Sequence, residues 1–428
     1  MTILIKNGRV LDPASNRDGI YDILVEDGII SKVAEKIDIA AEEVVDASGC
    51  YVMPGLIDLH VHFREPGFEH KETIKTGAAA AAKGGFTTVC PMPNTRPVVD
   101  NVDTLKMVKD IIKRDSKINV LPVAAITVGQ EGEFMTDIET LAANGAVAIS
   151  EDGKSVMNTW IYRQAMRLAA HVGIPVMAHC EDKNLVARGV MNAGAKAKEL
   201  GFYGIMNAVE DTIVARDIVL AKNTGCRLHL CHCSTADSVR MIEEAKKEGL
   251  KVTGEVCPHH FTLTEEDITC DDANYKMNPP LRTKADVQAL KEGLRDGIMD
   301  VISTDHAPHA ADEKKKSIKD APFGIVGLET SVALTITELV ETGYLTPMQM
   351  AEKMSYNPAK IIGIDRGTLL EGKVADITII DPDREYIIDS NTFVSMGKNT
   401  PFNGKKVKGE VVATICNGEF AYRKEVQS

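Results

Sequence analysis

The sequence predicts an α/β protein: a (β/α)8 barrel of the TIM type with a small β-sandwich domain built from the N- and C-terminal segments. Three observations carry that expectation. Eight apolar runs, at residues 56–62, 87–93, 118–126, 146–150, 174–179, 227–233, 252–257 and 300–306, alternate with helix-compatible segments, the pattern of parallel strands joined by crossover helices. The runs are nearly continuous in apolar residues, as strands buried on both faces are. Both chain ends instead read as short strands broken by turns, and neither end is long enough to enclose a core. A doubly wound open sheet is the alternative, but no Gly-rich dinucleotide fingerprint follows the first run.

Taken in order, residues 1–53 form the first part of the β domain. Residues 3–11 and 22–30 read as strands that each contain a hairpin dipeptide, Asn7-Gly8 and Asp27-Gly28. Residues 54–363 form the barrel, in which residues 71–83, with an alanine run, read as a helix packed on the strands. Residues 364–428 complete the β domain, with strands expected at 374–380 and 410–418.

The chain has 428 residues and a formal charge of −13. That acidity argues against nucleic acid or an anionic membrane as the main partner. No uncharged stretch approaches the roughly 20 residues of a membrane span. Nine cysteines, odd in number and without framework spacing, point to a reducing compartment, so a cytoplasmic protein is expected.

Polar residues collect at the carboxyl ends of the runs. The first ends Asp58-Leu59-His60-Val61-His62, the fourth leads into Ser150-Glu151-Asp152, and the fifth, sixth and eighth end at His179, His232 and Asp305. In a parallel barrel these ends converge on one mouth, where barrel enzymes place their chemistry. A lone buried histidine is usually a satisfied core residue. Polar groups at five strand ends are harder to explain without a function, because buried polar groups need partners. Four imidazoles and two carboxylates suit zinc or another divalent first-row metal, as one ion or two.

Here the residues resemble a known family. The run from Gly55 to Gly67, containing His60-Val61-His62-Phe63-Arg64, is similar to the amino-terminal signature of dihydroorotase. Pro91-Met92-Pro93-Asn94-Thr95 and Ser303-Thr304-Asp305-His306-Ala307-Pro308-His309 resemble two further signatures of that family. The resemblance implies reversible zinc-dependent hydrolysis of (S)-dihydroorotate to N-carbamoyl-L-aspartate, the third step of pyrimidine synthesis. It implies that His60, His62 and Asp305 bind one ion, that His179 and His232 bind a second, and that Asp152 bridges them. Many members of the wider superfamily bridge with a carboxylated lysine; the segment Ser150-Glu151-Asp152-Gly153-Lys154 matches a subgroup with an aspartate there. Asp305 would be the catalytic proton shuttle beside a metal-bound hydroxide. Arg64, Asn94 and His309 would hold the substrate carboxylate, Asn278 the ring amide edge, and the backbone of Phe323 and Gly324 would complete the pocket. A homodimer and a complex with aspartate carbamoyltransferase are both compatible with the family. The rivals are another cyclic amidohydrolase of hydantoinase or allantoinase type, and a non-catalytic scaffold subunit for that transferase.

The chemistry suits these ligands independently of the resemblance. An unactivated cyclic amide resists water, and zinc lowers the pKa of bound water to about 7 while polarising a carbonyl. Plainer readings cover the rest. His70, His171 and His229 read as structural, and Cys231 and Cys233 as packing with their sulfurs turned away from His232. His259 and His260 read as support for the site. The run Glu313-Lys314-Lys315-Lys316 reads as a solvated charged face in a loop.

Overall fold

The computed structural model describes residues 1–425. Eight parallel strand segments follow one another: Leu56–Val61, Phe86–Pro91, a third in two pieces (Asn119–Val120 and Ala124–Ala125), Ile149–Ser150, Val176–Ala178, Leu228–Leu230, Val252–Val256 and Val301–Ile302. Within two sheets each pairs in parallel with its sequence neighbour. The third segment is split because Pro122 has no N–H to give to the ladder. Across the split, Leu121 N–H donates to Val89 and Val123 N–H to Pro91 at 2.9 and 3.1 Å. The eighth is tied to the first by a parallel bridge between Val61 and His306, where His62 N–H donates to the His306 carbonyl at 2.8 Å. The strands are shorter than the apolar runs. The chain leaves extended geometry where the polar residues begin.

Ile57, Leu59, Cys90, Met92, Val123, Ala148, Met177, Cys231 and Val301 form a cluster of their own inside these strands. A second, larger cluster lies between the strands and the helices, among them Ile74–Lys83, Thr159–Val172, Ala208–Thr224 and Ala236–Lys247. The helix expected at 71–83 begins at Ile74, because Thr73 and Thr76 cap it reciprocally. Each hydroxyl accepts the other residue's N–H at 3.1 Å, worth about 1 kcal/mol. Gly77 seats this helix on the first strand's exit: a Cβ there would lie 2.4 Å from the Phe63 ring. Phe63 sits between His62 and Arg64, so this helix contact fixes the chain that carries both.

The two chain ends share one eight-stranded sheet. Thr2–Asp12 pairs with Arg17–Glu26 and Tyr51–Pro54, and Tyr51–Pro54 pairs antiparallel with Ile377–Ile387. The expected sandwich is thus a single continuous sheet curled on itself. Its two tight turns meet, since a Cβ on Gly418 would lie 2.3 Å from the Gly28 Cα. Ile3, Ile23, Ile30, Ile377 and Ile415 fill one common cluster inside the curl. Asp27-Gly28 is a hairpin turn with both φ angles positive, 47° and 82°. Asn7-Gly8 is not a turn. It forms a bulge within Thr2–Asp12, with Asn7 at φ 59°, where Gly8 clears the Val52 side chain. The strand expected at 374–380 is Ile377–Ile387, and that expected at 410–418 is Lys406–Cys416, which Asn417-Gly418 turns into a further strand, Glu419–Arg423. Among the described residues no helix is long and apolar enough to cross a membrane, and all nine cysteines are free.

Candidate metal centre and active site

The side chains at the carboxyl ends of the parallel strands converge through local departures from strand geometry. Between Asp58 and Val61 the first strand shifts register against the second. Ile57 points into the interior below that irregularity, the adjacent Leu59 and His60 both do within it, and His62 does above it, the two imidazole centroids 5.4 Å apart. A bulge of this kind re-aims a side chain. Asp58 fixes it, accepting from His60 N–H at 3.0 Å and from Thr304 N–H at 3.2 Å. Burial pushes the Asp58 carboxyl up to about 7, against those hydrogen bonds. Three site residues sit at positive φ without being glycine: Arg64 at 63°, His232 at 35° and Asp305 at 48°. Such conformations cost of order 1–3 kcal/mol each and persist where the surroundings hold them.

Asp152 lies at the centre. Its Oδ1 is 3.1 Å from His60 Nε2, 3.5 Å from His179 Nδ1 and 3.8 Å from His232 Nε2, and its Oδ2 is 3.4 Å from His62 Nε2. Its main chain is held by Ser150, whose hydroxyl accepts Asp152 N–H at 3.1 Å. Neighbouring Glu151 turns the other way, accepting Ile126 N–H and Thr127 N–H at 3.2 and 3.0 Å. Asp305 Oδ1 stands 3.1 Å from His62 Nε2 and 3.6 Å from His60 Nε2. Burial alone would raise both carboxyls. The surrounding imidazoles outweigh it and hold Asp152 and Asp305 well below the usual carboxylate range. All six residues are buried.

The donor set fits a divalent metal. His60 Nε2 and Asp152 Oδ1 are only 3.1 Å apart, yet neither makes a hydrogen bond, and the two ring nitrogens that face Asp152 from the other side, His179 Nδ1 and His232 Nε2, stand 2.9 Å apart. Two triads, His60–His62–Asp305 and His60–Asp152–His232, have ligand atoms within 4.8 Å of one another. Buried polar atoms crowded together but unpaired are costly. A cation between them would satisfy the lone pairs, and imidazole and carboxylate suit zinc-like ions. Lys154 is exposed, and its ammonium donates to the Gln130 carbonyl at 2.9 Å, away from this centre.

A pocket opens above the six. His62, Arg64, Asn94, Asp152, His179, His232, Asn278, Asp305, Phe323 and Gly324 are among its lining residues. Arg64 Nε donates to the Pro308 carbonyl at 3.1 Å, which holds the guanidinium at the pocket wall, and its Nη2 packs 3.3 Å from His309 Nε2. His309 does not line the pocket. Its Nε2 donates to the Phe323 carbonyl at 2.8 Å, and burial with the charges of Arg64 and Lys71 pushes its pKa down to about 2. It is a neutral ring packed beside Arg64. Asn94 is engaged with the metal ligands: its Oδ1 is 3.0 Å from His62 Nδ1 and its Nδ2 is 3.4 Å from Asp152 Oδ2. Asn278 donates to Glu181. Gly324 has φ 127°, and a Cβ there would lie 2.6 Å from the Ala307 Cβ.

Sequence reasoning passed over Glu255. This fully buried carboxylate is 3.0 Å from His60 Nδ1 and 2.9 Å from His229 Nε2, and it accepts His232 N–H at 3.0 Å. The available signal was one acidic residue in an otherwise apolar strand run, which must be paired when buried. His229, read as structural, is that carboxylate's second partner. Cys231 is not turned away from the centre: the strand ends at Leu230, His232 takes positive φ, and the Cys231 sulfur lies within 4.8 Å of His60 and Glu255 ligand atoms. Cys233 does face outward, toward the Leu230 carbonyl. His70 and His171 are exposed, while His259 and His260 are buried, with His260 Nε2 2.9 Å from the Pro279 carbonyl.

Residues 49–238 match a family model described as dihydro-orotase-like. The chain is 50% identical over 426 residues to a dihydroorotase of Pelotomaculum thermopropionicum, covering all of both chains. It is also 50% identical to one of Bacillus cereus, covering 99% of each. The chain belongs to the dihydroorotase family. Solved structures extend the likeness of this dihydroorotase-family chain to other cyclic amidohydrolases. An L-hydantoinase (dihydropyrimidinase) from Arthrobacter aurescens superposes with a TM-score of 0.90 at 28% identity, over 100% of this chain and 97% of that one. A dihydropyrimidinase from Brevibacillus agri shares the fold, with a TM-score of 0.87 at 24% identity over 99% and 95%. The family is therefore given by the relatives, and the architecture by both.

Proposed function

We propose that the chain is a dihydroorotase, interconverting (S)-dihydroorotate and N-carbamoyl-L-aspartate in pyrimidine biosynthesis. The observation that carries the residue assignment is Asp152 placed among four imidazoles, with unpaired ligand atoms beneath a pocket walled by Arg64. The architecture we read is a (β/α)8 barrel at residues 54–363, closed by the Val61–His306 bridge, with residues 1–53 and 364–428 making the β domain, of which 426–428 lie outside the described residues.

In this reading His60, His62 and Asp305 would hold one zinc ion and His179 and His232 a second, with Asp152 the carboxylate that would be shared between them. Zinc there would lower the pKa of water toward neutrality and polarise the amide carbonyl. Glu255 and Asn94 hold His60 and His62 by their Nδ1 atoms, which leaves each Nε2 facing inward. Asp305 takes a proton from the attacking water and passes it to the leaving ring nitrogen, a role typically worth about 10²–10⁴ in rate. Arg64 presents its remaining N–H groups to the substrate carboxylate, which a chain of charge −13 must bind by a local cation. Asn278 and the main chain of Phe323 and Gly324 meet the ring. Lys154 takes no part.

The structural neighbours favour one second reading, a cyclic amidohydrolase of hydantoinase type. Initial rates with dihydroorotate, carbamoyl-aspartate, hydantoin and dihydrouracil separate the two. Turnover of the two carboxylate-bearing compounds far above the others supports dihydroorotase. Preference for hydantoin or dihydrouracil overturns it.

A further inference from the structure

Lys314 sits in the charged run that the sequence presents as solvated, yet it is only 8% exposed. It closes the short helix Ala311–Lys314 and points inward beneath the pocket wall. Its ammonium donates to three main-chain carbonyls: Gly324 at 2.9 Å, Pro322 at 3.1 Å and Lys276 at 3.3 Å. An ammonium has three donors and no acceptor, so these three carbonyls satisfy it fully. Among the described residues it has no ion-pair partner. With carbonyls as its acceptors, what the ammonium holds is main chain.

The main chain it holds is the pocket's. Lys276 leads into Asn278, and Pro322 and Gly324 flank Phe323. Gly324 N–H also donates to the Lys276 carbonyl at 2.9 Å, so the ammonium reinforces a seam between two pocket-lining segments. Lys276 repeats the device from the other side. Its ammonium donates to the Ala321 carbonyl at 2.5 Å and lies 4.4 Å from the centre of the Phe323 ring. Phe323 in turn presents its carbonyl to His309 Nε2, whose ring packs beside Arg64.

We propose that Lys314 is a positioning residue for the anionic end of the substrate pocket. By gathering the carbonyls of Lys276, Pro322 and Gly324 it fixes the Phe323–Gly324 main chain, and with it the carbonyl that holds the His309 ring beside Arg64. The inference rests on reading this pocket as the dihydroorotate site. The groups facing the ammonium are Lys276 from the adjoining segment, Asp272 from the turn before it, Glu313 on its own helix and the neutral His309. Burial, aided by the Lys276 charge and opposed by Asp272 and Glu313, pushes Lys314 down to about 7. The protonated form, with three donors, therefore prevails below neutrality. Above it a neutral amine keeps two, and one carbonyl of the seam loses its partner. Substrate affinity should weaken as pH rises through that range.

The test is Lys314→Met, which keeps length and removes every donor, alongside the unaltered enzyme. In the enzyme KM for dihydroorotate should rise across neutral pH. In the variant KM should already be about tenfold higher at acid pH and flat with pH, with kcat within about twofold and metal content unchanged. A variant KM equal to that of the enzyme, or one that keeps the same pH dependence, overturns the proposal. Hydrogen exchange of residues 318–324 in the enzyme needs no substrate and no variant. Once corrected for intrinsic rates, protection should fall above neutral pH, and protection that ignores pH overturns the clamp. Absence of dihydroorotate turnover in the enzyme itself would sink the functional reading while leaving the exchange experiment to judge the clamp.

Discussion

Glu255 gives the sharpest test of how the centre is held. Three donors meet this buried carboxylate: His60 Nδ1 and His232 N–H share Oε1 at 3.0 Å each, and His229 Nε2 meets Oε2 at 2.9 Å. The proton it keeps on His60 Nδ1 leaves the Nε2 lone pair for a metal. In Glu255→Gln the amide oxygen can replace Oε1 and serve both its donors. The amide NH2 then faces His229, which can accept with Nε2 if its own proton moves to Nδ1. That proton finds Thr253 Oγ1 at 2.8 Å, and the hydroxyl can turn its hydrogen to the Leu228 carbonyl at 3.4 Å. Only the charge is lost. Metal affinity should fall by about tenfold, the mild end of the range for such supporting residues, or about 1.4 kcal/mol. Glu255→Leu offers no acceptor and strands three buried donors at about 1–3 kcal/mol each, so stability should fall by about 3 kcal/mol or more. Its metal affinity should fall by about 100-fold. Chelator competition measures the affinities and urea unfolding the stabilities. A leucine variant with unaltered metal affinity would show that Glu255 does not orient His60. Equal losses in the two variants would refute the tautomer argument.

Three further outcomes follow from the same geometry. Asp305→Asn keeps the shape but cannot accept a proton, so kcat in both directions should drop by roughly 10² or more; a near-normal kcat removes Asp305 from proton transfer. Arg64→Lys keeps the charge but loses the planar fork and its hold on the Pro308 carbonyl, so kcat/KM for dihydroorotate should fall by about 10–100-fold with metal content unchanged; metal loss with normal kinetics would make Arg64 a support for the centre. Lys154→Ala should keep metal and activity, because that side chain is exposed and bonded to Gln130, and activity should be insensitive to bicarbonate; bicarbonate dependence would mean that a carboxylated lysine is the bridge.

The sequence was most legible where residue types are scarce. Histidines and carboxylates at the ends of apolar runs are few enough that His60, His62, Asp152, His179, His232 and Asp305 could be named, and the structure brings all six together. What decides how they meet was not legible. Period-two alternation accounts for Ala148 facing inward, but the facing of His60 depends on a bulge, and those of His232 and Asp305 on positive φ. Such local departures leave no mark in a hydrophobic pattern. The same limit explains Asn7-Gly8, whose dipeptide suits a hairpin turn and a bulge equally, since both need positive φ. Supporting residues were the least visible. Glu255 and Lys314 are ordinary charged residues in the chain, and only packing shows that one meets three donors and the other three carbonyls.

The protein proposed here is a metal-dependent dihydroorotase in which Asp152 would bridge the ions. The most direct test is to strip the protein of metal, titrate zinc back without bicarbonate, and follow cyclisation of carbamoyl-aspartate in the enzyme and in Asp152→Ala. The stripped enzyme should show no turnover and recover fully as zinc is bound. Asp152→Ala should lose the second ion first, because His179 and His232 alone are a thin ligand set, and should not recover. Full activity without metal, or normal metal content and turnover in Asp152→Ala, would contradict it.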